Sequence, residues 1–326
     1  MIRSLLVLTL IFSSGFAFDG NLSKQKATTG IKLPIYEWKL PSEMQSNGYI
    51  DESKMPKDSK YSEMVILGNK ILNETTKYIG PQAKDKKNRY AGNNLSCSSC
   101  HALGGTEQYQ SSFVGIWGRF PQYRARSDSI NTLEDRINGC MQRSMNGKPL
   151  PIDSKEMKAI LTYMQWLSQG VPVGANIKGQ GLIEIPYLDR AADPVKGKIV
   201  YDNKCLVCHQ ENGEGMKNPD IANGDYYIYP PLWGDDSYNT GAGMHRQLKA
   251  TAYIKAKMPQ GTPDLTIDEA YDVASYINSQ PRPIKKSGDK DFPDIRVKPV
   301  DAVNGPYPDN FPEKQHLFGP YKEMLK

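Results

Sequence analysis

Histidine is scarce in this chain, with four in 326 residues. Chemistry that needs several imidazoles must draw on those few. Cysteine is nearly as scarce, and its count of five is odd, so pairing alone leaves one thiol over. Long apolar runs are missing as well. The longest, Leu5 to Phe12, falls short of the roughly 20 residues a membrane span needs. That excludes a spanning helix from the mature chain. Blocks of one charge are absent too: the net charge of +5 is spread along the sequence and leaves no footprint for nucleic acid. Hydrophobic residues make up only 38%. Part of the core must then come from something other than side chains.

What is present explains that deficit. Four of the five cysteines stand in two copies of one motif, Cys97-Ser98-Ser99-Cys100-His101 and Cys205-Leu206-Val207-Cys208-His209. C-x-x-C-H is the attachment pattern of a c-type haem. Each thiol adds to one vinyl group of the porphyrin, and the histidine binds the iron from one face. The expected cofactors are two covalently attached haem c groups, on Cys97 and Cys100 and on Cys205 and Cys208, with His101 and His209 as metal ligands. Structural zinc is the rival, and it would need further Cys or His ligands.

The start of the chain reads as an export signal. A short basic beginning at Arg3 precedes the apolar run, and Gly15-Phe16-Ala17 supplies small residues for cleavage after about Ala17. The expected address is the periplasm, where haem attachment also takes place in bacteria. The predicted organisation is a signal peptide over 1–17 and an N-terminal extension over 18–58. A first haem domain over 59–169 and a linker over 170–192 come next. A second haem domain over 193–281 and a C-terminal extension over 282–326 complete the chain.

Helical periodicity supports this division. Residues 60–79 carry apolar positions at helical spacing, with Gly68 placed to allow a close helix contact. Thr132 opens a helix to about Met145, and Asp153-Ser154 starts another through Leu167. In the second half, Asp193-Pro194 caps a helix bearing Gly197 and Tyr201. A further stretch lies near 243–256, and the last helix, 266–279, turns Ala270, Val273, Ala274 and Ile277 inward. The fold class is all-α: two class I cytochrome c-like helical domains, each with one covalent haem c, plus irregular N- and C-terminal extensions.

Reactivity depends on the second axial ligand of each iron. In the second domain Met258-Pro259 follows His209 at the distance of a distal methionine, and Lys257 is a possible alternative ligand. The first domain has no Met-Pro in the equivalent place. It has Cys140 with Met141 and Met145 close by, and three readings stay open: a cysteine ligand, a methionine ligand, or an inert or disulfide-bonded thiol. Arg119, Arg124, Arg126, Arg136 and Arg143 surround this stretch, interleaved with Trp117, Phe120 and Tyr123. Guanidinium forks bind oxyanions, and neighbouring cations favour a thiolate.

The runs Asn94 to His101, Phe113 to Arg126 and, above all, Arg136 to Gly147 resemble the dihaem c-type thiosulfate dehydrogenases, also called tetrathionate reductases. The resemblance covers roughly residues 60–280. It implies a periplasmic enzyme that interconverts two thiosulfates and tetrathionate with transfer of two electrons. By that resemblance haem 1 is the active site, with His101 and Cys140 as its axial pair. Arg126, Arg136 and Ser144 match substrate-contacting positions. Haem 2, on His209 and Met258, exchanges electrons with a periplasmic c-type cytochrome or another donor or acceptor. The rivals are a non-enzymatic dihaem electron carrier, a dihaem peroxidase using His245, and a carrier-type sulfur-oxidising cytochrome.

Overall fold

The structure is a computed structural model that describes residues 35–325. The expected signal peptide and the start of the N-terminal extension lie outside these residues. The helices are α1 (Lys60–Asn73), α2 (Thr75–Ile79), α3 (Ala102–Gly105), α4 (Leu133–Met141), α5 (Lys155–Trp166), α6 (Pro194–Lys204), α7 (Leu206–His209), α8 (Gln247–Lys257), α9 (Ile267–Ser279) and α10 (Glu313–Phe318). Six short strands pair two by two: β1 (Ile35–Tyr36) with β4 (Asn176–Ile177), β2 (Gln122–Arg124) with β3 (Ser129–Asn131), and β5 (Met216–Lys217) with β6 (Tyr227–Tyr229). The molecule is mostly helical, with few and short strands.

Local chemistry fixes the helix starts. Ser59, Ser154 and Thr266 each accept a backbone N–H of the first turn, and Asp193 does so ahead of Pro194. Thr132 and Asp135 form a reciprocal capping box at the start of α4. The helix expected over 60–79 breaks at Glu74, where the Thr75 hydroxyl turns back to the Ile71 carbonyl at 2.8 Å and a second short helix begins. α4 is shorter than expected. It ends at Met141, and the chain turns tightly so that the N–H of Met145 meets the Cys140 carbonyl at 3.0 Å.

Each domain is built on one crossing of its first and last helix. α1 lies against α5, burying Val65, Ile71 and Leu72 with Met157, Ile160 and Tyr163. α6 lies against α9, burying Tyr201 with Ala270, Val273, Ala274 and Ile277. Both crossings close on a glycine. A Cβ at Gly68 would stand 2.1 Å from the Ala159 carbonyl oxygen, and one at Gly197 would stand 2.0 Å from that of Asp272. The same device in both domains is the structural trace of the internal duplication.

The domains are tied together beside the first haem motif. Asp236 accepts the Asn94 backbone N–H at 2.9 Å and its side-chain amide at 3.1 Å. Asn93 donates to the Ser237 carbonyl at 3.0 Å, and Asn239 donates to the Gln142 carbonyl at 3.0 Å. Tyr238 and Ala242 of the second domain are buried in the core of the first. The C-terminal extension does more than cover the surface. His316 is buried and stacks on Tyr307 at 3.6 Å, Tyr321 is buried, and Asp301 pairs with Arg246.

Candidate functional site

The first site is assembled from three pieces of chain. The Cys97–His101 motif supplies two partly buried thiols and an imidazole. Burial pushes Cys97 up to about 11 and Cys100 up to about 12, so neither is an open thiolate. The His101 Nδ1 lies 2.7 Å from the Ser111 carbonyl oxygen, which fixes the ring and leaves Nε2 free to bind a metal. Phe113 packs on the same ring at 4.3 Å.

The second piece is α4. Arg136 and Cys140 are one turn apart and share a face. Arg136 Nη1 donates to the Cys140 sulfur at 2.7 Å, and the His101 imidazole also meets that sulfur. Burial alone would push the Cys140 thiol up, but Arg136 and His101 outweigh it and bring the group down to about 6. Both neighbours thereby favour the thiolate form of Cys140. Met141 and Met145, the alternative ligands, are instead buried in the core formed by α1, α4 and α5. The structure thus brings His101 and Cys140 together, while both methionines lie in the core cluster against which Cys97 also packs. Ser144 lies in the turn just after, where its carbonyl accepts the Asn93 amide at 2.9 Å.

The β2–β3 hairpin is the third piece. It presents Arg124 toward Cys140, and burial pushes this guanidinium down to about 10. Arg126 has a different neighbourhood from the one the sequence suggested. Its Nη1 donates to the Gly241 carbonyl at 2.6 Å and pairs with Asp291 at 3.3 Å, while the Phe292 ring covers its guanidinium at 5.4 Å. Arg143 pairs with the other oxygen of Asp291 at 2.5 Å. Asp291 was not legible as a site residue, since no local pattern marks it.

The second motif is held in the same way as the first. His209 Nδ1 faces the Pro230 carbonyl at 2.9 Å, and burial holds its pKa below the ordinary range. Met258 caps the end of α8 and packs against the cluster that includes Tyr201 and Trp233, as Cys205 does. Lys257 points to the first domain, where its amine pairs with Glu107. Among the described residues no group of three or more His, Cys, Asp and Glu side chains converges as a metal centre, so the zinc alternative lacks its ligands.

These donors fit haem c in both domains. Each motif offers two unpaired thiols and an imidazole oriented by a carbonyl, with Cys140 beside His101 in the first domain and Met258 and Cys205 packed on one cluster in the second. His245 does not serve as a ligand here, because its ring nitrogens face the Thr240 and Asn278 carbonyls at 3.1 and 3.2 Å.

Residues 82–173 match the family described as SoxA/TsdA, cytochrome c domain, and residues 194–281 match the family described as cytochrome c. The chain is 43% identical to the thiosulfate dehydrogenase of Allochromatium vinosum over 232 residues, which is 70% of this chain and 81% of that protein. It is 41% identical to the thiosulfate dehydrogenase of Psychrobacter arcticus, over 74% of this chain and 70% of that one. Among solved structures, the thiosulfate dehydrogenase (TsdBA) of Marichromatium purpuratum superposes with a TM-score of 0.63 at 32% identity. That match covers 69% of this chain and 47% of the other, so this chain spans about half of that longer protein.

Proposed function

The chain belongs to the thiosulfate dehydrogenase branch of the SoxA/TsdA cytochrome c family, and from that membership we propose that it interconverts two thiosulfates and tetrathionate in the periplasm. The observation that carries this reading is the meeting of Cys140 with both His101 and Arg136. A plain electron carrier has no use for a cysteine held as a thiolate by a cation.

Cys97, Cys100, His101 and Cys140 hold haem 1 in this reading, and Cys205, Cys208, His209 and Met258 hold haem 2. Bound haem c supplies one-electron acceptors and donors. Everything else falls to the protein. Thiosulfate is a dianion, and two of them repel each other as they join; Arg136 and the neighbouring guanidiniums offset that repulsion. The Cys140 sulfur forms a bond with the sulfane sulfur of one thiosulfate, releasing two electrons. A second thiosulfate attacks that sulfane sulfur, forms tetrathionate and returns the Cys140 thiolate, as in thiol–disulfide exchange. Charge balances in both steps, and reversal gives tetrathionate reduction. Ser144 completes the substrate cage, and Arg126 braces its wall. Haem 2 exchanges electrons with a periplasmic c-type cytochrome or another carrier, and Lys257 is the alternative ligand to Met258 once it leaves Glu107.

The test is tetrathionate-dependent oxidation of a reduced viologen dye by the wild type and by Cys140→Gly. Turnover by the wild type and near-total loss in the variant, with both haems still attached, is the expected result. Activity that survives the substitution removes Cys140 from the mechanism.

A further inference from the structure

Five arginines surround the Cys140 segment, and four of them are already engaged. Arg136 donates to Cys140 at 2.7 Å, and Arg119 donates to Gln180 at 2.5 Å. Arg126 and Arg143 share Asp291. Arg124 differs. Among the described residues no carboxylate pairs with its guanidinium and no acceptor hydrogen-bonds to it. Its charged neighbours are Arg136 and Arg119, which repel it, and the Cys140 sulfur, which attracts it.

A partly buried cation held between two others is unfavourable unless an anion joins it. The backbone leaves it little choice of position. Arg124 ends β2 opposite Ser129, and the hairpin runs within a few residues into the Thr132 cap of α4. The hairpin thus leads directly into the helix that carries Arg136 and Cys140, whose charges reach the Arg124 guanidinium. A guanidinium fork matches the oxygens of a sulfonate group, two at a time.

We infer that Arg124 is a substrate-binding residue, and that its guanidinium takes the sulfonate end of the thiosulfate whose sulfane sulfur meets Cys140. Arg126, fastened to Asp291, Gly241 and Phe292, then acts through the walls of the site and leaves the direct contact to Arg124. This rests on the thiosulfate–tetrathionate reading above and names one of the groups that hold the substrate.

The experiment compares holoenzyme carrying Arg124→Gln or Arg124→Lys with the wild type. KM and kcat for thiosulfate are measured with ferricyanide as acceptor. Sulfate, an unreactive dianion, is titrated as inhibitor and against the haem absorption spectrum. Haem content and haem 1 potential are measured alongside. Arg124→Gln is expected to raise KM and the sulfate inhibition constant about tenfold to a hundredfold, as for loss of a hydrogen bond to a charged group. Its kcat should change far less, and Arg124→Lys should recover part of the loss. An unchanged KM in Arg124→Gln overturns the inference. An unchanged KM with a displaced haem 1 potential overturns it in a specific way, by assigning the guanidinium to a haem propionate. Absence of turnover in the wild type strikes the underlying reading instead.

Discussion

A neutral imidazole between two carbonyl oxygens has one proton to give and two acceptors to face. His245 is in that position, and burial together with the nearby Arg282 cation pushes it down to about 4, against the pull of the Thr240 and Asn278 carbonyls. The unfolded chain protonates this residue near 6.5, so the unfolded state takes up an extra proton between pH 6.5 and 4. Stability is therefore full above pH 6.5 and lost as pH falls toward 4, by about 3 kcal/mol. A His245→Gln variant should show a flatter dependence of Tm on pH across that window. An unchanged slope would mean that other groups govern acid unfolding. At this same scale the sequence was informative about Cys140, because an odd thiol among arginines is visible in one dimension. Arg124 and Arg126 alternate along one strand and its exit but meet different surroundings, a difference that spacing alone does not show.

Two glycines set the spacing of the helix pairs. The Ala159 carbonyl approaches Gly68 and the Asp272 carbonyl approaches Gly197 so closely that a methyl group fits at neither. Gly68→Ala should loosen the α1–α5 crossing and Gly197→Ala the α6–α9 crossing, each costing about 1–3 kcal/mol as overpacking does. Urea unfolding followed by far-UV circular dichroism checks both, and an unchanged midpoint would mean that the helices can separate freely. The crossings were legible because caps, periodicity and a lone glycine are local signals. Residues 60–79 were misread as one helix, since nothing in the apolar pattern announces the break at Glu74.

Across the whole molecule, the contacts that join the parts are charged, long-range and silent in the sequence. Asn94 and Asp236 are separated by 142 positions, Arg143 and Asp291 by 148, and Lys257 and Glu107 by 150. Periodicity cannot connect residues that far apart, so the role of the C-terminal extension went unread. Asp301 is the clearest case. Its side chain is fully buried, pairs with Arg246 and accepts the Leu248 N–H at 3.1 Å. Asp301→Ala leaves Arg246 buried without its partner and should cost about 3–5 kcal/mol. Denaturant unfolding monitored at the haem 2 Soret band measures this. A variant as stable as the wild type would mean that water reaches Arg246 readily.

The same extension sets an order of events during synthesis. A chain emerges from its N-terminus, and domains tend to fold in that order. Both haem domains are complete in sequence before Asp291 and Asp301 are made, yet these two carboxylates satisfy Arg126, Arg143 and Arg246. A chain that stops after residue 281 carries both C-x-x-C-H motifs and leaves three guanidiniums without counterions. Residues 282–326 act as a seal over both domains, supplying counterions that neither domain carries for itself.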